Sequence, residues 1–409
     1  MRGGTGTELK GRADDVLPPR LARELQAGDV RPLRPGASPA RVWRVATPRG
    51  PLAVKVLRRG SGMVDGHDID SFLQEPAQIH RIHRELPELS SFYVHVVGVW
   101  RHTDWAAYAM PFVEGSAAVS PAEPRGEALE RLDHVFRVLT EHGYARTRRH
   151  APDGRGDDLH VGRIRRRLWV LQRRLPGELV DGGRLLVNGR SCRPLGPLLQ
   201  EVERSAALAR VLRPNLVSYP VHGDLDLGDV LVHPGHPRSF TLIDPGGTQS
   251  YRDPTHDFAK ALFGLTVLDR SLASGLRIWR LPPRPGRPAS YIIRAVDAYR
   301  GYPALGRAFV DVLAALPFGA ELERVDPYWR VRLAFAHGFH ALAEAARRVV
   351  DRRPTDVGAA GRSPLTLATG FCALGLRLIE QAIDGTSSPG TLPDVSTGLD
   401  DDARAVWRV

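Results

Sequence analysis

Lysine is nearly missing from this chain of 409 residues. It occurs three times, at Lys10, Lys55 and Lys260, so 54 of the 57 basic side chains are arginine. With abundant Ala, Gly and Pro, that bias reads as the codon usage of a high-GC genome. The net charge of +11 is therefore not taken as a nucleic-acid surface, although a basic balance can mark one. In a chain that avoids lysine, a lysine inside an apolar strand invites a functional reading. Cysteine is also scarce: Cys192 and Cys372 stand alone, without metal-ligand spacing, which argues against a zinc site or a disulfide framework and fits a reducing cytoplasm. No run approaches the roughly 20 apolar residues of a bilayer span, and the first 20 residues hold no apolar leader segment. The expectation is a cytoplasmic protein with no membrane and no nucleic-acid partner, a monomer or homodimer.

Charged residues at 25% and apolar ones at 42% describe a globular chain, long enough for two lobes. Residues 1–20 are polar and read as a flexible tail. Short strands are expected at 30–33, 41–46 and 52–57, the last carrying Lys55, with a hairpin turn at 47–50. A helix is expected within 70–86, with Pro76 suited to a first helical turn, then strands at 92–100 and 105–112. Residues 113–125 are small and Pro-punctuated and mark the lobe boundary. Beyond them the helical expectations are 128–142, 160–175, 198–212, 258–268, 291–299, 303–316, 329–350 and 364–383, with a small hairpin at 183–195 around Asn188-Gly189. In 160–175, Arg163, Arg166, Arg167, Arg173 and Arg174 share the face opposite the apolar one. The plain reading is a solvated face; the sharper one is a phosphate- or substrate-facing surface. The domains expected are an N-lobe over 21–113, a helical C-lobe over 114–385, and a flexible tail over 386–409.

Residues 221–258 organise the rest. Apolar runs at 230–232 and 240–243 flank a Pro/Gly/His turn, a hairpin signal. Asp224 and Asp229 precede the first run and Asp244 follows the second, so the hairpin draws hard oxygen ligands together from separate segments, as Mg²⁺ bound to phosphates requires. The order and spacing match a kinase catalytic loop: His222-Gly223-Asp224, then Asp229 where a kinase has Asn, then Asp244-Pro245-Gly246. Asp224 suits the group that accepts the hydroxyl proton. Asp244 with Asp229 suits metal binding, Lys55 suits the α/β-phosphates, and Glu75 is the preferred partner for Lys55, with Glu85 the competitor. An extra carboxylate at 229 should strengthen Mg²⁺ binding and, without metal, raise a carboxyl pKa by mutual repulsion.

This stretch resembles the aminoglycoside phosphotransferase and choline-kinase-like family. The matching residues are His222-Gly223-Asp224, Asp229-Val230-Leu231, Ile243-Asp244, and Asp253-Pro254 through Asp257-Phe258-Ala259. The Ile-Asp-Pro ending, Lys260 and the Val-Asn-Gly hairpin look most like a bacterial capsule and sugar-biosynthesis branch. The resemblance implies an α+β, two-lobed protein-kinase-like fold: a small antiparallel sheet lobe with one helix and a larger, mainly helical lobe. It implies ATP or GTP with Mg²⁺ as cofactors and a small-molecule hydroxyl acceptor such as a sugar or aminoglycoside. Residues 110–114, Met110 and Phe112 among them, would be the adenine-side connector, Gly36 and Ser38 the phosphate-side loop, and Asp257 a brace for the catalytic loop. The other reading is a nucleotide-binding pseudokinase scaffold with a degenerate metal site at Asp229. A protein kinase is disfavoured, because no Ala-Pro-Glu segment follows Asp244.

Overall fold

Short apolar strands near the N-terminus, the central ones buried over successive residues, build an antiparallel sheet. The structure is a computed structural model and describes residues 16–33, 39–61, 68–117, 125–152, 160–296, 302–350, 361–388 and 390–399. β1 (Val30–Pro32), β2 (Arg41–Thr47), β3 (Gly50–Arg58), β4 (Gly98–Arg101) and β5 (Trp105–Pro111) pair in the order β1-β2-β3-β5-β4. All four pairings are antiparallel, and β3 sits in the middle. Lys55 on β3 lies directly opposite Tyr108 on β5. One helix, Ile69–Glu85, covers the sheet, capped by the Asp68 carboxylate accepting from Ser71 N–H. It buries Phe72, Ile79 and Ile82, spaced for one face.

Two expectations fail here. Pro76 does not open the helix but sits inside it, two turns after the Asp68 cap. The cap decides the start, and the packed face carries the helix through the amide hydrogen bond that proline removes. The strand expected over 92–100 shrinks to Gly98–Arg101, with Tyr93 held only by an isolated bridge to Leu242.

The remainder is mainly helical, giving the α+β architecture expected. Its core is formed by the long helices Trp329–Val349 and Pro364–Asp384, buried on nearly all sides. They cross closely because Gly338 and Gly375 face each other: a Cβ on Gly338 would lie 2.6 Å from Ile379 Cγ1, and one on Gly375 would lie 3.0 Å from Gly338 O. Residues 291–296, the described part of the helix expected over 291–299, form no helix. Ser290–Ala295 is a strand, antiparallel to Leu276–Leu281 and parallel to Leu185–Val187. A short apolar run does not distinguish helix from strand by period alone, and here the tertiary pairing decides. The hairpin at Asn188-Gly189 forms as expected, both residues at positive φ. The helix expected over 198–212 is two, Leu195–Arg204 and Ala206–Leu212, broken where Ser205 caps the second. Residues 392–399, within the expected tail, bury Val395 and Leu399, and Thr397 O accepts from Asn188 Nδ2.

Two outcomes follow from the Trp329 helix. Gly338→Val overpacks the crossing and should lower stability by about 1–3 kcal/mol or more, read as a drop in melting temperature. His337 and His340 are buried on the same helix; burial alone holds His337 neutral, its pKa down at about 3. The unfolded chain therefore binds these protons first. Stability present above pH ~6.5 is lost on acidification, by about 2 kcal/mol per such histidine at pH 5. Melting curves from pH 7.5 to 5 should show that slope, and His337→Gln should flatten it.

Candidate active site

The helix Ile69–Glu85 and β3 bring one ammonium and one carboxylate together. Lys55 is 4% exposed, and its Nζ lies 2.8 Å from Glu75 Oε2 and 3.1 Å from Asp244 Oδ2. Burial alone would lower its pKa, but Asp244 and Glu75 outweigh it and hold the amine charged well above its ordinary value. Burial pushes Glu75 up while Lys55 pulls it back. Tyr108, across the strand pair, places its hydroxyl 2.8 Å from Glu75 Oε2 and 3.1 Å from Asp244 Oδ1. The partner of Lys55 is thus Glu75; Glu85 instead pairs with Arg81 and Arg84 at the far end of the helix.

Asp244 comes from beyond the hairpin Val230–His233 and His236–Leu242, whose strands pair antiparallel. Its φ is +50°, a left-handed conformation uncommon for a residue with a Cβ and a feature that clusters at functional sites. The loop after it presses against the loop carrying Asp224. Gly246 N–H donates to His222 O at 2.6 Å, and a Cβ on Gly246 would fall 2.8 Å from Gly223 C. Gly223 has φ +85°, and its Cβ would meet Thr248 Oγ1 at 2.6 Å. Glycine is therefore needed at 246 by close approach to the Gly223 backbone, and at 223 by its left-handed φ.

Asp257 fixes the Asp224 loop from below. Fully buried, its carboxylate accepts from His222 N–H at 2.6 Å, Gly223 N–H at 2.8 Å and the Tyr144 hydroxyl at 2.8 Å. Gln78 ties the same loop to the sheet lobe, donating to Val221 O at 2.8 Å and accepting from Thr248 N–H at 2.6 Å. Asp224 itself is half exposed and meets Lys260 Nζ at 2.8 Å; the same ammonium lies 3.7 Å from Asp226. Burial would raise the Asp224 pKa, but Lys260, with Arg163 and Arg347 behind it, holds it well below the carboxylate range. Asp229 moves the other way: burial, then Asp244, Asp226 and Asp224, push its carboxyl well up.

Such a set of acids, facing a lysine held by a helix glutamate, is what phosphoryl transfer demands. Residues 29–306 match the sequence profile of the family described as the phosphotransferase enzyme family. The chain belongs to that family. No curated protein matches it. Among solved structures, an aminoglycoside phosphotransferase from Streptomyces rimosus in complex with ADP and streptomycin is 16% identical, over 78% of this chain and 96% of that one, with a TM-score of 0.44. An aminoglycoside-3'-phosphotransferase of type VIII is 22% identical over 77% and 95%, with a TM-score of 0.44. A microcompartment-associated aminopropanol kinase is 16% identical over 91% and 97%, with a TM-score of 0.43.

In this phosphotransferase, Lys55, Glu75 and Asp244 are in direct contact, and Asp224 and Asp229 stand in the same acidic field. Met110 is on β5 opposite Ala53. Phe112 directly after it has its N–H engaged by Pro51 O at 2.9 Å, so that amide is committed within the sheet edge. Gly36 and Ser38 lie outside the described residues. Sequence reasoning missed Tyr108, Gln78 and the pairing of Lys260 with Asp224. Tyr108 stands as a lone hydroxyl in an Ala-rich strand, and Lys260 was one of three lysines in the chain, which were the available signals.

The brace generates a direct expectation. Asp257→Ala orphans three buried donors at a cost of about 1–3 kcal/mol each. The melting temperature should fall steeply, and phosphotransfer should fall with it even where folded protein is recovered; a variant with wild-type melting would remove Asp257 from the bracing role.

Proposed function

We propose that this small-molecule phosphotransferase moves the γ-phosphoryl group of ATP to an acceptor hydroxyl, with Asp224 as the group that receives the hydroxyl proton. The observation that carries the reading is the Lys55 ammonium locked between Glu75 and Asp244, on the same loop system that presents Asp224. In the reaction the acceptor oxygen bonds to the γ-phosphorus, the bond from that phosphorus to the β-bridging oxygen breaks with its electron pair going to ADP, and the hydroxyl proton passes to Asp224. A carboxylate held as far below its usual range as Asp224 is a weak base. Its work is to accept the hydroxyl's hydrogen bond and aim the oxygen, taking the proton late, in keeping with the loose transition state of phosphoryl transfer.

Lys55 suits the α- and β-phosphates, and the connector 110–114 suits the adenine. Asp244 and Asp229 suit Mg²⁺. The donor set is all hard oxygen, and the upward push on Asp229, from burial first and then from its acidic neighbours, suits a place where a cation would be welcome. Bound there, Mg²⁺ supplies charge neutralisation of the phosphates.

Turnover of ATP and of GTP, measured with a panel of sugars, sugar acids and aminoglycosides, tests the reading. Asp224→Asn should lower kcat by roughly 10²- to 10⁴-fold with little change in KM for ATP, and equal turnover would remove Asp224 from its role. Chelation of divalent ions should abolish transfer. Asp229→Asn removes one of four clustered carboxylates and should raise the Mg²⁺ concentration for half-maximal activity by about tenfold. An unchanged Mg²⁺ dependence would take Asp229 out of the metal site.

A further inference from the structure

Three helices bring charged side chains around Asp224, and most of them are cationic. Thr255–Phe263 carries Lys260, Val161–Arg174 carries Arg163, and Trp329–Val349 carries Glu344, Arg347 and Arg348. The first and second of these both pack on the third. Lys260 is taken up by Asp224 and Asp226. Arg347 and Arg348 both pair with the single carboxylate of Glu344, which they hold down at about 2 against its burial. One acid thus serves two guanidiniums, and Arg347 Nε–H is buried without an acceptor.

Arg163 has less. Among the described residues it makes no hydrogen bond or ion pair, although it is only part exposed. Burial pulls its pKa down, the fields of Asp224 and Glu344 oppose that, and Arg347 and Arg166 add repulsion. Asp224 is already paired with Lys260, and Glu344 with Arg347 and Arg348; a desolvated guanidinium with no ion pair of its own is costly unless an anion joins it. The histidines nearby do not supply negative charge: His256 and His340 are buried and held neutral. An amine-bearing acceptor would meet repulsion here, whereas a carboxylate or phosphate would find two planar forks of donors suited to its oxygens.

We propose that the acceptor is an anion: a hydroxyl compound, of the size of a sugar acid or sugar phosphate, whose carboxylate or phosphate is held by Arg163 and Arg347 while its hydroxyl lies at Asp224. The inference rests on the phosphotransferase reading above and narrows its acceptor class. It also gives the Arg163 face of the helix Val161–Arg174 a task other than solvation.

The test uses the full chain with saturating Mg²⁺ and ADP. Thermal shift and calorimetry are read for D-glucuronate and glucose 6-phosphate, against glucose and kanamycin as neutral and cationic probes. A shift with either anion, absent with glucose and kanamycin, supports the inference; the two anions distinguish a carboxylate site from a phosphate site. Arg163→Gln and Arg347→Gln should each weaken the anion by roughly ten- to hundredfold, the loss of one charge-assisted contact, and raise KM for the acceptor rather than KM for ATP. No shift with either anion, an equal shift with glucose or kanamycin, or a rise confined to KM for ATP would overturn it. Absence of any response to Mg²⁺ and ADP in the wild type would instead overturn the phosphotransferase reading itself.

Discussion

A single buried ammonium joins the N-terminal sheet to the segment after the hairpin that carries Asp244. Lys55 has almost no access to water, so it must carry its charge on protein partners, and those partners come from different parts of the chain: Glu75 from the covering helix and Asp244 from beyond the hairpin. Removing either would strand a charge in a low-dielectric place, which costs more than the pair contributes. That asymmetry makes the geometry of the whole site depend on this contact. Tyr108 reinforces it, because its one hydroxyl reaches both carboxylates from the strand opposite. The left-handed backbone at Asp244 persists only because Lys55, Tyr108 and the Gly246–His222 hydrogen bond over-determine it.

The second lysine does the equivalent for Asp224 from the helical side. Lys260 reaches its loop from the helix whose first turn holds Asp257, so one element both braces the backbone of His222 and Gly223 and compensates the side chain of Asp224. Two turns of helix thereby set position and charge together. A further ion pair locks that helix: Arg332 donates to Asp253 at 2.7 Å and to Asp326 at 2.6 and 2.8 Å. The Asp-Pro-x-x-Asp motif is thus a structural device, joining the catalytic loop to the long core helix.

Much of this was legible because charge inside an apolar run is conspicuous. Lys55 among Leu52, Ala53, Val54, Val56 and Leu57, and acids before and after two apolar strands, declare themselves by composition and spacing. What was not legible came from pairings distant in sequence. Nothing local in 290–295 says that it pairs with 276–281 and with 185–187, so a short apolar run was read as helix. Pro76 looked like a helix start because proline is common there, but the Asp68 cap lies two turns earlier. Tyr108 and Gln78 act through partners 33 to 170 residues away, beyond the reach of any periodicity. The arginine face of Val161–Arg174 was visible as a pattern; which of its members sits beside Asp224 required the fold.

Charge in the site is balanced at Lys55 with Glu75 and Asp244, and at Lys260 with Asp224 and Asp226. Two groups fall outside that balance, and they are of opposite sign. Asp229 lies in the field of three other acids and has no ion pair among the described residues. Arg163 lies in the field of two guanidiniums and of two carboxylates, Asp224 and Glu344, that are paired elsewhere, and it has no ion pair of its own among the described residues. They cannot relieve each other, because Asp229 is grouped with Asp244 and Arg163 with Arg347. The imbalance therefore has a direction across Asp224. The acidic side would be completed by a cation that arrives with a nucleotide, and the basic side by an anion that arrives with the hydroxyl. On the proposed reaction, Asp in place of the Asn of kinase loops would raise the demand on the first side only, and recognition of the acceptor would fall to the helices.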